Sequence, residues 1–246
     1  VSLASHQLRT PLTSINWYIE MLEAGDAGVL NDKQKEFLSE VYKGSKRMVQ
    51  LVNDLLNVSR LETGRLKIEP APVQLEEFVA DIIKEVKPLT NGRSYKCEVI
   101  FNQPENKLPK IPIDPILLRQ VINNLLTNAI RYSPDGKQCR VEVNIKQTGQ
   151  MSNVNGQVSI SVADQGIGIP KEVQAKIFEK FFRADNARTI VADGNGLGLY
   201  LAKQIMDSSG GTIGFSSEDG QGTTFYVTIP LSGMKSKAGE KGLEGA

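Results

Sequence analysis

Over the first sixty residues, apolar positions recur at helical intervals. Leu3, Leu8, Leu12, Ile15, Ile19 and Leu22 line one side of a helix running from about Val1 to Ala24. Gly25-Asp26-Ala27-Gly28 interrupts it, and Asn31 or Asp32 is placed to cap a second helix that reaches about Leu61. In that second helix Val41, Met48 and Leu55 keep a seven-residue step, flanked by Leu38, Leu51, Val52, Leu56 and Val58. The pattern predicts a helical hairpin over residues 1–64. Two helices alone bury too little to stand by themselves. The heptad seam therefore predicts a homodimer in which two hairpins close a four-helix bundle.

After Glu62-Thr63-Gly64-Arg65 and the stiff Pro70-Ala71-Pro72 the periodicity changes. Helical spacing covers 75–87, and a long helix is predicted from Asp114 to Tyr132, with Asp114 as its cap and Pro115 at its first position. Two further helices are expected, a short one over 171–178 and another over 197–206. Alternation predicts strands at 96–102, 140–147, 157–163, 212–216 and 223–229, with an exposed hairpin loop over 148–156. Strands separated by polar loops, with helices between, imply an α/β unit over 65–232. Its sheet is expected to be mixed or antiparallel and covered on one face by helices. Residues 233–246, rich in Lys, Gly and Glu, read as a disordered tail.

Composition narrows the function classes. With 40% hydrophobic and 23% charged residues the chain can build a core, and a net charge of +1 gives no global pull toward nucleic acid or an anionic membrane. Cys97 and Cys139 form no C-x-x-C pattern and read as free thiols. No apolar run reaches the roughly 18 residues needed to cross a bilayer. The chain begins inside a predicted helix, which points to a cytoplasmic piece of a longer protein, attached to a membrane only through regions not included here.

Candidate chemistry starts with His6, the only histidine in the chain, which excludes a multi-histidine metal site. Arg9 and Thr10 lie one turn on and share its helical face, and Pro11 removes a backbone donor beside it. Three glycine clusters occur in the second unit: Asp164-Gln165-Gly166-Ile167-Gly168 after a strand, Gly194-Asn195-Gly196-Leu197-Gly198-Leu199 opening a helix, and Gly220-Gln221-Gly222-Thr223-Thr224-Phe225 opening a strand. Glycine lets backbone amides approach a phosphate, and a helix N-terminus adds a favourable dipole, so the clusters point to a nucleotide. The second cluster is G-x-G-x-G and follows no strand, which argues against a dinucleotide-binding fold, and no P-loop is present. Asp164 at its strand end could accept from the exocyclic amine of adenine. Asn124 and Asn128 lie one turn apart on the long helix and offer amide oxygens to Mg2+. Arg131 and Tyr132 follow at the end of that helix, and Arg183 and Arg188 precede the second cluster.

These residues together resemble the sensor histidine kinases of two-component systems. Ser5-His6-Gln7-Leu8-Arg9-Thr10-Pro11-Leu12 is similar to the family's H-box, residues 124–133 to its N-box, and residues 164–168, 178–183, 194–199 and 220–225 to its G1, F, G2 and G3 boxes, in the family's order. The resemblance implies a dimerisation and phosphotransfer hairpin followed by an ATP-binding α/β sandwich of the Bergerat type. By the same carry-over His6 accepts the γ-phosphoryl group of ATP and passes it to an aspartate on the receiver domain of a cognate response regulator. Asn128, with Asn124 nearby, holds Mg2+. Asp164 reads adenine, with Gly166, Gly168, Gly194, Gly196, Leu197, Gly198, Leu199, Gly222, Thr223, Thr224, Tyr132 and Arg188 completing the nucleotide site. Residues 184–193 form a mobile lid, and Thr10 matches a position that can orient water to dephosphorylate the regulator.

Gln7 departs from the family, which usually carries Glu or Asp directly after the histidine. An amide can orient the imidazole ring but cannot take its proton. Autophosphorylation is expected to persist with a weaker proton acceptor. The alternative is a kinase-deficient regulator phosphatase or nucleotide-gated dimer scaffold. A conformational-clamp ATPase would leave the His6 hairpin without a role.

Overall fold

The computed structural model describes residues 2–87, 97–104, 107–133, 139–148, 156–191 and 194–239, without the side chains of 2–9, 97, 139–141, 147 and 148. Two compact units divide between Arg65 and Leu66. In the first, α1 (Ser2–Ala24) and α2 (Asp32–Glu62) form the hairpin. The second helix opens on a capping box. Asn31 Oδ1 accepts from the Gln34 amide and the Gln34 side chain accepts from the Asn31 amide, each at 2.9 Å, so two otherwise unpaired donors are satisfied reciprocally. α1 stays helical through Pro11. Leu12, Ile19 and Val58 are buried, whereas the seven-residue seam is open: Val41, Met48 and Leu55 are 54%, 53% and 42% exposed.

The second unit runs β1 (Ala71–Val73), α3 (Leu75–Val86), β2 (Cys97–Asn102), β3 (Ile111–Ile113), α4 (Pro115–Arg131), β4 (Cys139–Thr148), β5 (Gln157–Asp164), a 3-10 turn (Lys171–Lys176), α5 (Asp185–Ile190), α6 (Gly198–Ser209), β6 (Thr212–Glu218) and β7 (Gly222–Pro230). Five strands form one mixed sheet in the order β2-β4-β5-β7-β6, with β2 parallel to β4 and the other pairs antiparallel. Register aligns the apolar positions into rows. Val143, Val162, Phe225 and Phe215 stand side by side, as do Ile145, Ile160, Val227 and Ile213. Directly opposed side chains share a face, and α4 and α6 cover that face. The other face carries Asn102, Asn144, Ser161 and Tyr226 in one row, with Asn102 Nδ2 donating to Asn144 Oδ1 at 2.8 Å. One buried and one polar face explain the strict alternation of these strands.

α4 starts as expected. Asp114 Oδ1 accepts from the Ile116 and Leu117 amides, and Pro115 occupies the first turn, where its missing donor costs nothing. Three expectations are corrected. Residues 171–178 form a 3-10 turn ending at Lys176, with no buried residue to anchor a longer helix. The polar stretch before the second glycine cluster contains the short helix α5. The tail is packed through Lys237: Met234 is 5% exposed, its amide donates to Pro112 O, and Lys237 bridges to Ile68. Residues 240–246, and 149–155 of the expected hairpin loop, lie outside the described residues. Among the described residues no helix is long and apolar enough to cross a membrane.

Ile160 sits at the centre of the sheet, fully enclosed. Ile160→Ala should lower unfolding free energy by about 2–5 kcal/mol in urea denaturation. Lys146→Ala on the open face should change it by less than about 0.5 kcal/mol.

Candidate functional site

Asp164 ends β5 and is held by two strands at once. Its Oδ1 accepts from the Gly166 amide at 2.8 Å and from the Thr223 amide, at the start of β7, at 3.1 Å. Its Oδ2 accepts no bond among the described residues. Burial pushes the carboxyl up from 3.8 to about 6, against the two amides, which pull it down. The glycines let three chain segments meet here. A side chain at Gly166 would strike Asp164 Oδ1 and the Tyr132 carbonyl, each at 2.7 Å, and one at Gly222, where φ is +114°, would enter the Asp164 carbonyl. Tyr132 thus contributes its carbonyl, which also accepts from the Ile167 amide at 3.1 Å.

α4 brings its amides to the start of α6. The Asn124 side chain lies against the Cα of Gly198, where any side chain would collide with it, and Asn124 Nδ2 is buried without a partner. Asn128 is one turn further along the same face. The first turn of α6 has no side-chain cap: Leu197 occupies the cap position and no acidic residue follows. Its leading amides are therefore available to an anion. Leu197 itself is fully buried. Its side chain belongs to the core, which leaves its backbone for a ligand. Gly194, Gly196 and Leu199 flank this turn, Thr224 follows the buried Thr223, and Arg131 is exposed at the last turn of α4.

The segment between the F-box and α6 is fastened by Arg183. Its guanidinium donates to the carbonyls of Gly194 at 2.9 Å, Ala187 at 3.3 Å and Val191. Those three carbonyls give Arg183 a backbone-holding role, while Arg188 is exposed on α5. Phe181 adopts φ +60°, and any side chain at Gly196 would strike the backbone of Phe181 and Phe182.

Three contributing residues escaped sequence reasoning. Ser217 accepts from the Ile169 amide at 2.9 Å and lies 2.8 Å from the Thr223 hydroxyl, tying the first glycine turn to the third. Gln174 donates to the carbonyls of Ile169 and Ser217. Asn186 of α5 donates to the Gly168 carbonyl at 3.3 Å. Only the register of β6 on β7, which pairs Ser217 with Thr223, could have revealed the first. The side chains of His6 and Gln7 lie outside the described residues; their backbone belongs to α1, and Thr10 is exposed on it.

The amide donors suit a hard cation that shares its shell with phosphate oxygens. Among the described residues no cluster of three or more His, Cys, Asp or Glu exists to hold a softer metal. Asn124 Nδ2, which has no partner among the described residues, is a hydrogen-bond donor and so calls for an acceptor such as a phosphate oxygen; a cation would have to use the amide oxygen.

The family described as "His Kinase A (phospho-acceptor) domain" matches residues 1–64, and "Histidine kinase-, DNA gyrase B-, and HSP90-like ATPase" matches residues 113–233. Sensor protein kinase WalK of Staphylococcus saprophyticus is 39% identical over 234 residues, covering 94% of this chain and 36% of the relative. WalK of Staphylococcus haemolyticus is 39% identical over 236 residues, with the same coverage. The chain thus spans about a third of the length of these relatives. Among solved structures, full-length ShkA in complex with AMPPNP matches with TM-score 0.74 and 26% identity over 97% of this chain and 46% of that one. Acinetobacter baumannii AdeS shares the fold at TM-score 0.61 and 22% identity, over 92% of this chain and 98% of its own.

The Asp164 carboxyl gives a pH signature. Its folded-state value of about 6 stands above the ordinary 3.8, so the folded chain holds the proton more tightly than the unfolded one. That contribution to stability is full below about pH 4 and is lost as pH rises through about 6. Asp164→Asn should therefore gain thermal stability relative to wild type as pH goes from 5 to 7.5, read by calorimetric Tm across that range. A constant difference would contradict the assignment.

Proposed function

The chain belongs to the sensor histidine kinases of two-component systems, and from that premise we propose that it transfers the γ-phosphoryl group of ATP to His6 and then to an aspartate of a response-regulator receiver domain. The observation that carries the nucleotide half is that Asp164 commits one oxygen to two amides while its Oδ2 accepts no bond among the described residues. An exocyclic amine of adenine can donate to that oxygen, whereas the carbonyl of guanine would repel it. The uncapped amides of α6 and the glycine turns receive the phosphates, and Arg183 and Asn186 hold the lid segment that excludes water.

Asn124 and Asn128 would hold Mg2+, which supplies charge neutralisation on the phosphates when bound. His6 is neutral near pH 7, so one ring nitrogen carries a lone pair. That nitrogen forms the bond to the γ-phosphorus as the bond from phosphorus to the bridging oxygen breaks, and ADP leaves with the electron pair. The other ring nitrogen keeps its proton, and the Gln7 carbonyl can accept a hydrogen bond from it without removing it. The receiver aspartate later attacks the same phosphorus and frees His6. This half rests on the single histidine lying inside the segment that matches the phospho-acceptor family.

Incubation with labelled ATP and Mg2+ should yield a phosphorylated chain whose label is lost in acid and kept in base, and His6→Ala should reduce labelling by at least about a thousandfold. Label retained by His6→Ala would contradict the proposal, and an unlabelled wild type would favour the nucleotide-gated scaffold.

The open seam of α2 supports a homodimer, because an exposed heptad row is buried by a second copy at little cost. Sedimentation should give a dimer for the wild type and a monomer for Val41→Asp/Leu55→Asp, since each buried charge would cost several kcal/mol.

A further inference from the structure

Asp114 uses both oxygens of its carboxylate, and the two serve different parts of the chain. Oδ1 accepts from the Ile116 and Leu117 amides at 3.0 and 3.1 Å and so caps α4. Oδ2 accepts from the Glu69 amide at 2.9 Å, forty-five positions back in sequence. Glu69 lies in the segment that follows the hairpin, four residues after the boundary between the units. That segment is also held by the buried side chains of Leu66 and Ile68, by the Ser236 hydroxyl, which donates to the Ile68 carbonyl, and by the backbone bonds that Ile68 exchanges with Lys237 at 2.9 and 3.1 Å. From the other side, the Asp114 amide faces the Met234 sulfur at 3.4 Å, and Met234 is buried. Asp114 is 7% exposed, so little water competes for its oxygens.

A cap alone needs one acceptor, and Ser, Thr or Asn would serve as well. What distinguishes a carboxylate is the second acceptor oxygen, and here it is spent on the chain that leaves the hairpin. The helix it caps carries Asn124 and Asn128 and ends at Tyr132, whose carbonyl holds the first glycine turn. We propose that Asp114 is a positioning residue that couples the segment leaving the hairpin to the nucleotide-binding helix, so that nucleotide bound on α4 orders Leu66 to Glu69, and the placement of that segment biases the nucleotide site. The coupling is reciprocal, as any linkage between two binding equilibria must be. It rests on the nucleotide reading given above but not on phosphorylation of His6.

Three variants separate the tether from the cap. Asp114→Ser keeps one capping oxygen and loses the second acceptor. Asp114→Asn keeps the cap and turns an amide donor toward the Glu69 donor. Glu69→Pro removes the donor and leaves Asp114 intact. Amide hydrogen exchange on the full chain, with and without Mg-ADP, reads the coupling directly. In the wild type, ADP should slow exchange of peptides covering residues 66–69 by about threefold or more, alongside protection of α4. In each variant, protection of α4 by saturating ADP should remain while that of the segment is lost. In labelling assays the same variants should lower the maximal rate of phosphorylation and raise KM for ATP by no more than the factor of segment protection that is lost, as reciprocal coupling requires. A merely structural role would instead lower Tm and weaken ADP binding without uncoupling the two regions. Segment protection that persists in Asp114→Ser and Asp114→Asn, or that is absent in the wild type, would overturn the inference. A wild type that binds ADP but takes no label overturns the kinase reading alone, since exchange judges the tether independently.

Discussion

The junction of β5 with the start of β7 depends on one acceptor, Oδ1 of Asp164. Two amides from different parts of the chain converge on it, one from the turn after β5 and one from the first residue pair of β7. Because that oxygen is occupied, the carboxylate cannot rotate freely, and Oδ2 is presented in a fixed direction. Burial makes the same group costly to ionise, so the two amides offset part of a penalty that the fold would otherwise carry in full. Gly166 and Gly222 are consequences of this arrangement. Both backbones approach Asp164 so closely that no side chain fits between them.

Around that anchor the strands and helices act as rigid supports. The rows Val143–Val162–Phe225–Phe215 and Ile145–Ile160–Val227–Ile213 fix the sheet against α4 and α6. A one-residue slip would move every one of these side chains to the polar face. The helices are thereby held in register with the strand ends, which places the Asn124 amide against Gly198 and the uncapped turn of α6 beside it. Polar groups left unsatisfied at this junction store the capacity to bind a ligand.

Much of this was legible in the sequence because it follows from periodicity or from glycine. The cap at Asp114 with Pro115 and the alternating strands are legible because each rests on a local rule. Elements set by long-range pairing were not. β1 and β3 have three residues each, too few to show a period, and they pair only because the chain returns after α3. The packed stretch 233–237 reads as a polar tail because its one anchor, Met234, is isolated among Lys, Ser and Gly. The burial of Leu197 is decided by the core beneath α6, which its place in a glycine motif does not show. The bonds of Arg183 to three carbonyls of its own segment depend on how that segment folds back, which the sequence pattern does not show.

The central claim is that a carboxylate with one committed and one open oxygen selects adenine. Isothermal titration of the full chain with ADP and with GDP, in the presence of Mg2+, tests it most directly. ADP should bind at least about a hundredfold more tightly than GDP, because guanine would set a carbonyl against Oδ2 and leave both acceptors unpaired. Equal affinities for the two nucleotides would contradict it.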